Sequence, residues 1–383
     1  MKIVADANIP HVAECFGSIG NVVVVSGREI TLALLADADI LLVRSITKVN
    51  SQLLKGTKVR FVATATIGFE HVDLDYLAAA GIGFASAPGS NAGSVAEYIV
   101  AALLSVARKK KMTLAGRSIG IVGVGSVGSK VEKKTKALGM EVLLNDPPLQ
   151  RQTGDPKYLP IEELYTCDFV TLHTPLNLEG IDRTFHLADH ALFGSLKPGC
   201  IFLNTSRGAV MDTVALKSAL ASGRLGGAVL DVWENEPDID IELLRMVDLS
   251  TPHIAGYSFD GKIAGMTMIY EAACRYFGLE RRYSLEDFLP RPLVPLITLE
   301  NTSGDEQEIL HQAVQQIYAI NRDDFNTREI AIVPPAQRGK FFDDLRKNYP
   351  VRREFHNTTV LLKHPDSSLA KKVEGIGFKV RRG

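Results

Sequence analysis

The sequence predicts an α/β protein with two doubly wound parallel-sheet domains, followed by a smaller α+β domain. Two observations support this fold class. Short apolar runs alternate with helical patterns over Met1–Gly93 and again over Ser118–Ser250, as in parallel sheets that helices cover on both faces. Later in the chain, Pro290, Pro292 and Pro295 mark a linker, and a region of mixed helical and strand patterns follows it.

The composition is that of a globular protein and argues against several functional classes. The 383 residues, 46% of them hydrophobic and 23% charged, allow two or three domains. A formal net charge of −1 gives no reason to expect nucleic-acid or membrane binding. No apolar segment approaches the ~18 residues of a membrane span. Because the four cysteines are scattered without metal-ligand spacing, we expect no metal site and a cytoplasmic protein with reduced thiols.

Residues 1–93 carry the first set of alternating elements. The loop after the predicted strand Ile40–Val43 contains Arg44 and Ser45, and the loop after Val59–Ala63 contains Thr66. Open α/β sheets bind ligands at such strand ends. The strands predicted here are Ile3–Ala5, Val22–Val25, Ile40–Val43 and Val59–Ala63.

The clearest helix signal covers Ser94–Lys111. Ser94 and Glu97 have the S-x-x-E spacing of a capping box, an apolar body follows, and the segment ends in basic residues. We interpret this helix as the connection into the second domain.

The segment Ser118–Asp146 predicts a dinucleotide site. A strand-like run leads into Gly123, Gly125 and Gly128, which have G-x-G-x-x-G spacing, and a helical pattern and a second strand-like run follow. Such glycines permit a tight turn, close approach of a pyrophosphate and close packing of the helix. Asp146 ends the second strand, where its carboxylate would bind ribose hydroxyls and repel the extra phosphate of NADP. The predicted cofactor is therefore NAD, and its contacts in this loop are Gly123, Gly125, Ser126, Val127 and Gly128.

Three polar residues that follow successive strands of the second domain form the predicted catalytic site. They are Arg207 in NTSRGAV, Glu236 in DVWENEP and His253 in TPHIAGY. The carboxyl ends of parallel strands share one edge, so these side chains can face one crevice. His253 is a suitable base for an alcohol proton, Glu236 can orient its ring, and Arg207 can bind a carboxylate.

Residues elsewhere have weaker signals. Thr174 in HTP would border the cofactor, although simple loop structure also explains it, and Asp231 would either reach the nicotinamide or cap a neighbouring loop. We interpret His186 as structural. The last 46 residues carry more than twice as many Lys and Arg as Asp and Glu residues, for which a solvated face or a subunit contact is a better explanation than nucleic-acid binding. Ile330–Val333 is a predicted strand in the C-terminal region.

These motifs resemble the D-isomer-specific 2-hydroxyacid dehydrogenases over about residues 1–279. The resemblance rests on VRSITKVN, ATATIGFEHVD, GIGFASAPGSNAGSVAEY, the glycine motif, HTP, NTSRGAV, DVWENEP and TPHIAG. The longer segment TPHIAGYSFDGK and the C-terminal segment FDDLRKNYPVRREF are typical of a member with an added C-terminal domain.

The resemblance implies NAD-dependent oxidation of a small phosphorylated 2-hydroxy acid by a homodimer. It implies three domains: a substrate-binding domain of residues 1–93 and 261–283, an NAD-binding Rossmann domain of 94–260, and a C-terminal dimerisation domain of 284–383. Leu149 stands where we would expect a basic residue, and Ser206 stands where other members carry Cys, which argues against thiol chemistry. By motif position, Ser45, Thr66 and Tyr257 would contact the substrate, and Asp146, Thr174, Ser206, Arg207, Asp231 and Gly256 would line the cofactor.

Two alternatives remain open at the level of sequence. The first is another dehydrogenase of the family, acting on 3-phosphoglycerate or hydroxypyruvate. The second is an NAD-sensing binding protein, since C-terminal-binding protein corepressors use the same fold and similar residues.

Overall fold

The computed structural model describes residues 1–299, 305–363 and 367–382, and the chain divides into two compact units. The first unit comprises Met1–Asn91 and Ser258–Arg291, and the second comprises Ala92–Tyr257 and Pro292–Gly383. In the part of the chain that is described, no helix has both the length and the apolar character needed to span a membrane. The three-domain division made from sequence stays a prediction.

The first unit is built on a five-stranded sheet whose neighbouring strands are all parallel. Two of its inner strands, with the sequences ILLV and FVAT, are buried throughout and almost entirely apolar, as expected for strands covered on both faces. The strands are β1 (Lys2–Asp6), β2 (Asn21–Val25), β3 (Ile40–Val43), β4 (Phe61–Thr64) and β5 (Gly83–Ala85), in the order β2-β1-β3-β4-β5. The helices are α1 (Val12–Phe16), α2 (Leu32–Leu35), α3 (Ser51–Leu54), α4 (Leu74–Ala79) and α11 (Phe259–Phe277).

The second unit contains a six-stranded parallel sheet that carries the glycine motif. The strands are β6 (Ser118–Val122), β7 (Glu141–Asn145), β8 (Phe169–Leu172), β9 (Cys200–Asn204), β10 (Leu225–Leu230) and β11 (Leu249–Ser250), in the order β11-β10-β9-β8-β6-β7. The helices are α5 (Ala92–Lys110), α6 (Gly128–Ala137), α7 (Pro147–Thr153), α8 (His190–Ser195), α9 (Thr213–Ala221) and α10 (Ile241–Met246). This fold confirms the predicted α/β class with two doubly wound parallel sheets.

The strand ends of this sheet are in register, which places the following loops along one edge. Val122 pairs with Asn145 on one side and with Leu172 on the other, and Leu172 pairs with Asn204. Asn204 and Ser250 in turn both pair with Leu230. The loops after all six strands therefore begin at the same level.

The C-terminal residues of the second unit form a separate three-stranded parallel sheet. Its strands are β12 (Leu296–Leu299), β13 (Thr359–Leu362) and β14 (Lys379–Arg382), in the order β12-β13-β14. The helices are α12 (Glu306–Ile317), α13 (Ile320–Arg328), α14 (Arg338–Lys347) and α15 (Ser367–Ile376). The short 3-10 helices among the described residues of both units are Gly27–Glu29, Ile161–Thr166, Gly208–Val210, Glu286–Phe288, Glu329–Ile332, Pro335–Gln337 and Phe355–Asn357.

Two local predictions are wrong. Ile330–Val333 is not a strand, because most of it lies in a 3-10 helix. Ser94 and Glu97 do not form a capping box, because α5 begins at Ala92 and both side chains bond to distant parts of the unit. The Ser94 hydroxyl donates to the Ala255 carbonyl at 2.7 Å.

Glu97 instead holds the C-terminal region against α5. Its carboxylate accepts from Arg352 Nη1 at 3.1 Å and from the Phe355 backbone N–H at 2.7 Å. Burial raises the pKa of Glu97 above its ordinary range, while the guanidinium of Arg352 lies 4.1 Å from the centroid of the Tyr318 ring. A helix that is apolar almost all round is thus enclosed, with its one buried acid paired.

Candidate active site

Two of the three glycines after β6, Gly123 and Gly128, have the turn and packing roles that the motif predicts. Gly123 has φ of +89°, and a Cβ there would lie 2.7 Å from the His173 carbonyl oxygen. A Cβ on Gly128 would lie 2.0 Å from the Gly123 carbonyl oxygen, so α6 could not pack this closely with a larger residue. A Cβ on Gly125 would meet nothing within 4 Å. Gly125 and Ser126 are exposed just before Val127, the N-cap of α6, where free N–H groups favour a phosphate.

Asp146 connects the end of β7 to the glycine loop. One carboxylate oxygen accepts from the Val124 N–H at 2.8 Å, and the other accepts from the Leu149 N–H at 2.9 Å and caps α7. Each oxygen keeps a lone pair for a ribose hydroxyl. Leu149 contributes its backbone N–H here, so the absence of a basic side chain at this position does not disturb the contact.

Thr174 and His173 lie beside the glycine loop after β8. The Thr174 hydroxyl is buried and has no hydrogen-bond partner among the described residues, and its methyl carbon lies 3.1 Å from the place of a Cβ on Gly123. A buried hydroxyl without a partner is costly, so this site fits a polar group of a bound dinucleotide. Burial lowers the pKa of His173 to about 3, which keeps its ring neutral between the Thr171 and Thr205 hydroxyls at 3.0 and 3.2 Å.

Asn204 organises the loop that carries Ser206 and Arg207, and sequence reasoning missed it. Its amide oxygen accepts from the Ser206 N–H at 3.0 Å and from the Ser206 hydroxyl at 2.8 Å, and its amide nitrogen donates to the Arg207 carbonyl at 3.0 Å. Arg207 Nη1 donates to the Ser206 carbonyl at 2.8 Å. An amide at the first position after an apolar run is the signal that could have identified it.

Asp231 anchors the loop that carries His253. One carboxylate oxygen accepts from the Thr251 hydroxyl at 2.6 Å and the Ile254 N–H at 2.8 Å, and the other accepts from the Ala255 N–H at 3.0 Å. The Asp231 carbonyl accepts the His253 N–H at 2.7 Å. Of the two roles considered from sequence, these bonds are those of a loop cap.

Glu236 and His253 form a hydrogen-bonded pair in this unit. Glu236 Oε2 lies 2.7 Å from His253 Nδ1, and Oε1 accepts from the Trp233 N–H at 2.8 Å. Burial raises the pKa of Glu236, but the charge and hydrogen bond of His253 outweigh it, and the pKa lies below its ordinary value. An ionised Glu236 fixes the ring through Nδ1 and directs Nε2 to exchange a proton. His253 adopts φ of +58°, which the Asp231 bonds support.

The comparisons with known proteins agree with this geometry. Residues 100–255 match the family model "D-isomer specific 2-hydroxyacid dehydrogenase, NAD binding domain", and residues 288–377 match a domain of unknown function. Erythronate-4-phosphate dehydrogenase of Escherichia coli O1:K1 / APEC is 44% identical over 379 residues, which cover 99% of this chain and 98% of that protein. The protein of that name from Shigella flexneri has the same identity and coverage.

The chain belongs to the D-isomer specific 2-hydroxyacid dehydrogenase family. The resemblance stated from the motifs is thereby confirmed, as is the NAD-binding domain. Among solved structures, the TT0316 protein from Thermus thermophilus has 27% identity and a TM-score of 0.63, covering 73% of this chain and 98% of that one. A 3-phosphoglycerate dehydrogenase of Entamoeba histolytica shares the fold. It has 24% identity and a TM-score of 0.63, and the match covers 74% of this chain and 98% of that one.

In the first unit of this dehydrogenase, the predicted substrate residues lie in the loops after β3 and β4. Ser45 is exposed directly after Arg44, whose Nη1 donates to the Asn8 carbonyl at 2.8 Å. The Thr66 hydroxyl lies 2.6 Å from the Thr64 hydroxyl and donates to the Gly68 carbonyl at 2.8 Å. Both predicted residues are therefore at strand ends.

Lys262 is a basic residue of this unit that the sequence analysis missed. It lies in the first turn of α11, where burial and then the charge of Arg44 lower its pKa to about 8. Two cations close enough to oppose each other's charge are suited to an anionic ligand. The lysine in the segment SFDGK is the sequence feature from which this residue could have been identified.

Gly256 and Tyr257 end the loop after His253 in the second unit. The Tyr257 N–H donates to the Ile254 carbonyl at 2.8 Å, and the Tyr257 ring centroid lies 6.0 Å from that of Tyr349 in the C-terminal region. The structure thus brings Tyr257 together with a segment that the family motifs do not include.

We expect Asp146→Asn to improve binding of NADPH relative to NADH by about tenfold. The amide removes the negative charge that repels the extra phosphate, and its oxygen can still accept from the Leu149 N–H that caps α7. Its nitrogen cannot accept from the Val124 N–H, and we expect the loss of that bond to affect both nucleotides alike. Fluorescence titrations with both nucleotides measure the ratio. Glu141→Gln, which removes an exposed charge at the other end of β7, serves as the control. An unchanged ratio in Asp146→Asn would remove Asp146 from the ribose site.

Proposed function

We propose that this protein oxidises 4-phospho-D-erythronate to 2-oxo-3-hydroxy-4-phosphobutanoate with NAD, as a step of pyridoxal 5'-phosphate biosynthesis. The observation that carries the chemistry is the 2.7 Å contact between Glu236 and His253, in a unit that contains an NAD-binding domain. The choice of substrate rests on the name of relatives that are 44% identical over nearly the whole chain.

In the proposed reaction the hydroxyl hydrogen of the alcohol leaves as a proton to a base, and the hydrogen on its carbon leaves as a hydride to the cofactor. Bound NAD would supply the acceptor for the hydride that leaves the C2 carbon. His253 Nε2 takes the proton of the C2 hydroxyl, and the C2 carbonyl forms as the C–H bond breaks. Glu236 stays ionised and stabilises the imidazolium through Nδ1.

Arg207 completes the proposed catalytic set. Its guanidinium is held beside Ser206 in the loop after β9 and offers donors to the substrate carboxylate and to charge that develops on the C2 oxygen. We assign substrate contacts to Ser45, Thr66 and Tyr257. The proposed cofactor contacts are Gly123, Gly125, Ser126, Val127, Gly128, Asp146, Thr174, Ser206, Arg207 and Gly256, whereas the carboxylate of Asp231 caps the loop that carries His253.

A substrate panel tests the proposed reaction. We expect absorbance of NADH to appear with 4-phospho-D-erythronate at a kcat/KM at least about tenfold above that for 3-phosphoglycerate or D-glycerate. A single-turnover format with a 2-oxo acid acceptor guards against slow NADH release. Preference for 3-phosphoglycerate would assign the enzyme to a different substrate. NAD binding without oxidation of any of the three would favour the NAD-sensing alternative.

The role of Glu236 is tested against a matched pair in the same loop. His186 Nε2 lies 2.7 Å from Glu234 Oε1, so Glu234→Gln alters an equally short His–Glu contact. We expect Glu236→Gln to lower kcat by about 100-fold with NAD affinity unchanged, and Glu234→Gln to leave kcat within about threefold. Equal losses in both variants would refute the assignment.

We also propose that the protein is a cytoplasmic homodimer that pairs through residues 284–383. Large apolar side chains are exposed in this region at Leu293, Phe325 and Ile332, each at least 66% exposed, and such surface favours a protein contact. Sedimentation equilibrium should give twice the 41.7 kDa chain mass, and Phe325→Glu with Ile332→Glu should shift the mass toward one chain. A single-chain mass for the unaltered protein would contradict the dimer.

A further inference from the structure

Helix α14 of the C-terminal region packs on the loop that carries Glu236. A Cβ on Gly339, in its first turn, would lie 2.9 Å from Asp238 Oδ1 and 3.2 Å from Pro237 Cγ. Phe342 is fully buried and belongs to the same apolar cluster as Trp233. The start of α14 therefore lies against the two residues that follow Glu236, and the segment FDDLRKNYPVRREF begins at Phe342 of this helix.

Arg346 lies on this helix between Glu236 and Tyr257. Its guanidinium carbon is 5.9 Å from the centroid of the Tyr257 ring and 6.0 Å from that of Phe342, and its side chain is 24% exposed. The Nε atom is buried without a hydrogen-bond partner among the described residues. The positive charge of Arg346 also lowers the pKa of Glu236.

Tyr349 of the same segment also lies beside Tyr257. Its ring centroid lies 6.0 Å from the Tyr257 ring, and its hydroxyl donates to Asp323 Oδ2 at 3.1 Å. Tyr257 is thus enclosed by two side chains of the same C-terminal segment.

We propose that Arg346 is a positioning residue for proton transfer, supplied by the C-terminal region, which acts through Glu236 and Tyr257. This inference rests on the proposed oxidation by the Glu236–His253 pair. The charge of Arg346 adds to that of His253 in favouring the ionised form of Glu236, which contacts His253 Nδ1. Its guanidinium lies over the ring of Tyr257, a residue of the loop that also carries His253. The C-terminal region then contributes to catalysis as well as to assembly.

The expected electrostatic effect has a definite sign. The charged groups that act on Glu236 are His253 and Arg346, Asp231 also acts on His253, and Tyr257 and Asp343 face Arg346. Removing a nearby cation makes proton uptake by the pair more favourable, whichever member takes the proton. Below a certain pH the pair is already protonated and cannot take the proton of the substrate. That pH must therefore rise when the cation is removed.

The test compares Arg346→Met and Arg346→Gln with Arg346→Lys, which keeps the charge. In both neutral variants we expect kcat for 4-phospho-D-erythronate to fall about tenfold and the acid limb of its pH profile to move up by roughly half a pH unit. Arg346→Lys should retain the wild-type acid limb. Lys347→Met removes an exposed charge from the next position of α14 and should change neither quantity.

A second readout does not depend on turnover. The NMR titration of the His253 ring, assigned by its loss in His253→Gln, should shift upward in both neutral variants and not in Lys347→Met. Unchanged acid limbs and titrations in both neutral variants would overturn the inference, as would an equal shift in Lys347→Met. If the wild-type protein oxidises none of the panel substrates, the proposed function fails, and the NMR titration still decides the role of Arg346.

Discussion

The buried carboxylate of Asp231 is the constraint on which the second unit's site depends. It accepts three hydrogen bonds from residues 251–255, so the loop after β11 is tied to the end of β10. Burial raises the pKa of Asp231, and the charge of His253 and these donors act in the opposite direction by favouring the ionised form. His253 can then adopt a left-handed backbone conformation that its own side chain would not favour.

Sequence reasoning was most successful where local chemistry determines the structure. The glycine positions are dictated by contacts within a few residues of β6, and the strand ends follow from the apolar pattern, so the edge that carries Arg207, Glu236 and His253 was predictable. Ser94 and Glu97 show the opposite case. Their spacing matches a local cap, but their partners are Ala255, Arg352 and Phe355, and long-range pairing of this kind leaves no local signal.

The C-terminal region was the least predictable part for the same reason. Its helices follow recognisable patterns, whereas the strand β12 lies directly after the proline-rich linker and was missed. Arg346 has no motif of its own, and only its place on α14, opposite Glu236 and Tyr257, suggests a role for it. Sequence motifs cannot identify residues that act through electrostatics over several ångströms, because no fixed spacing along the chain relates such residues to the groups they act on.

Two hydrogen-bonded His–Glu pairs among the described residues of the second unit, His186–Glu234 and His253–Glu236, show why hydrogen-bond geometry alone does not identify a base. Both contacts are 2.7 Å long. Glu234 also accepts the Thr213 N–H at 2.8 Å, and the His186 ring stacks on Phe185 with centroids 4.0 Å apart, so this pair joins a helix start to a loop. His253 instead follows β11 at the edge where the loops of the NAD-binding sheet begin. Position relative to the loops of the NAD-binding sheet, and not bond length, is therefore the reason for which we propose proton transfer by this pair.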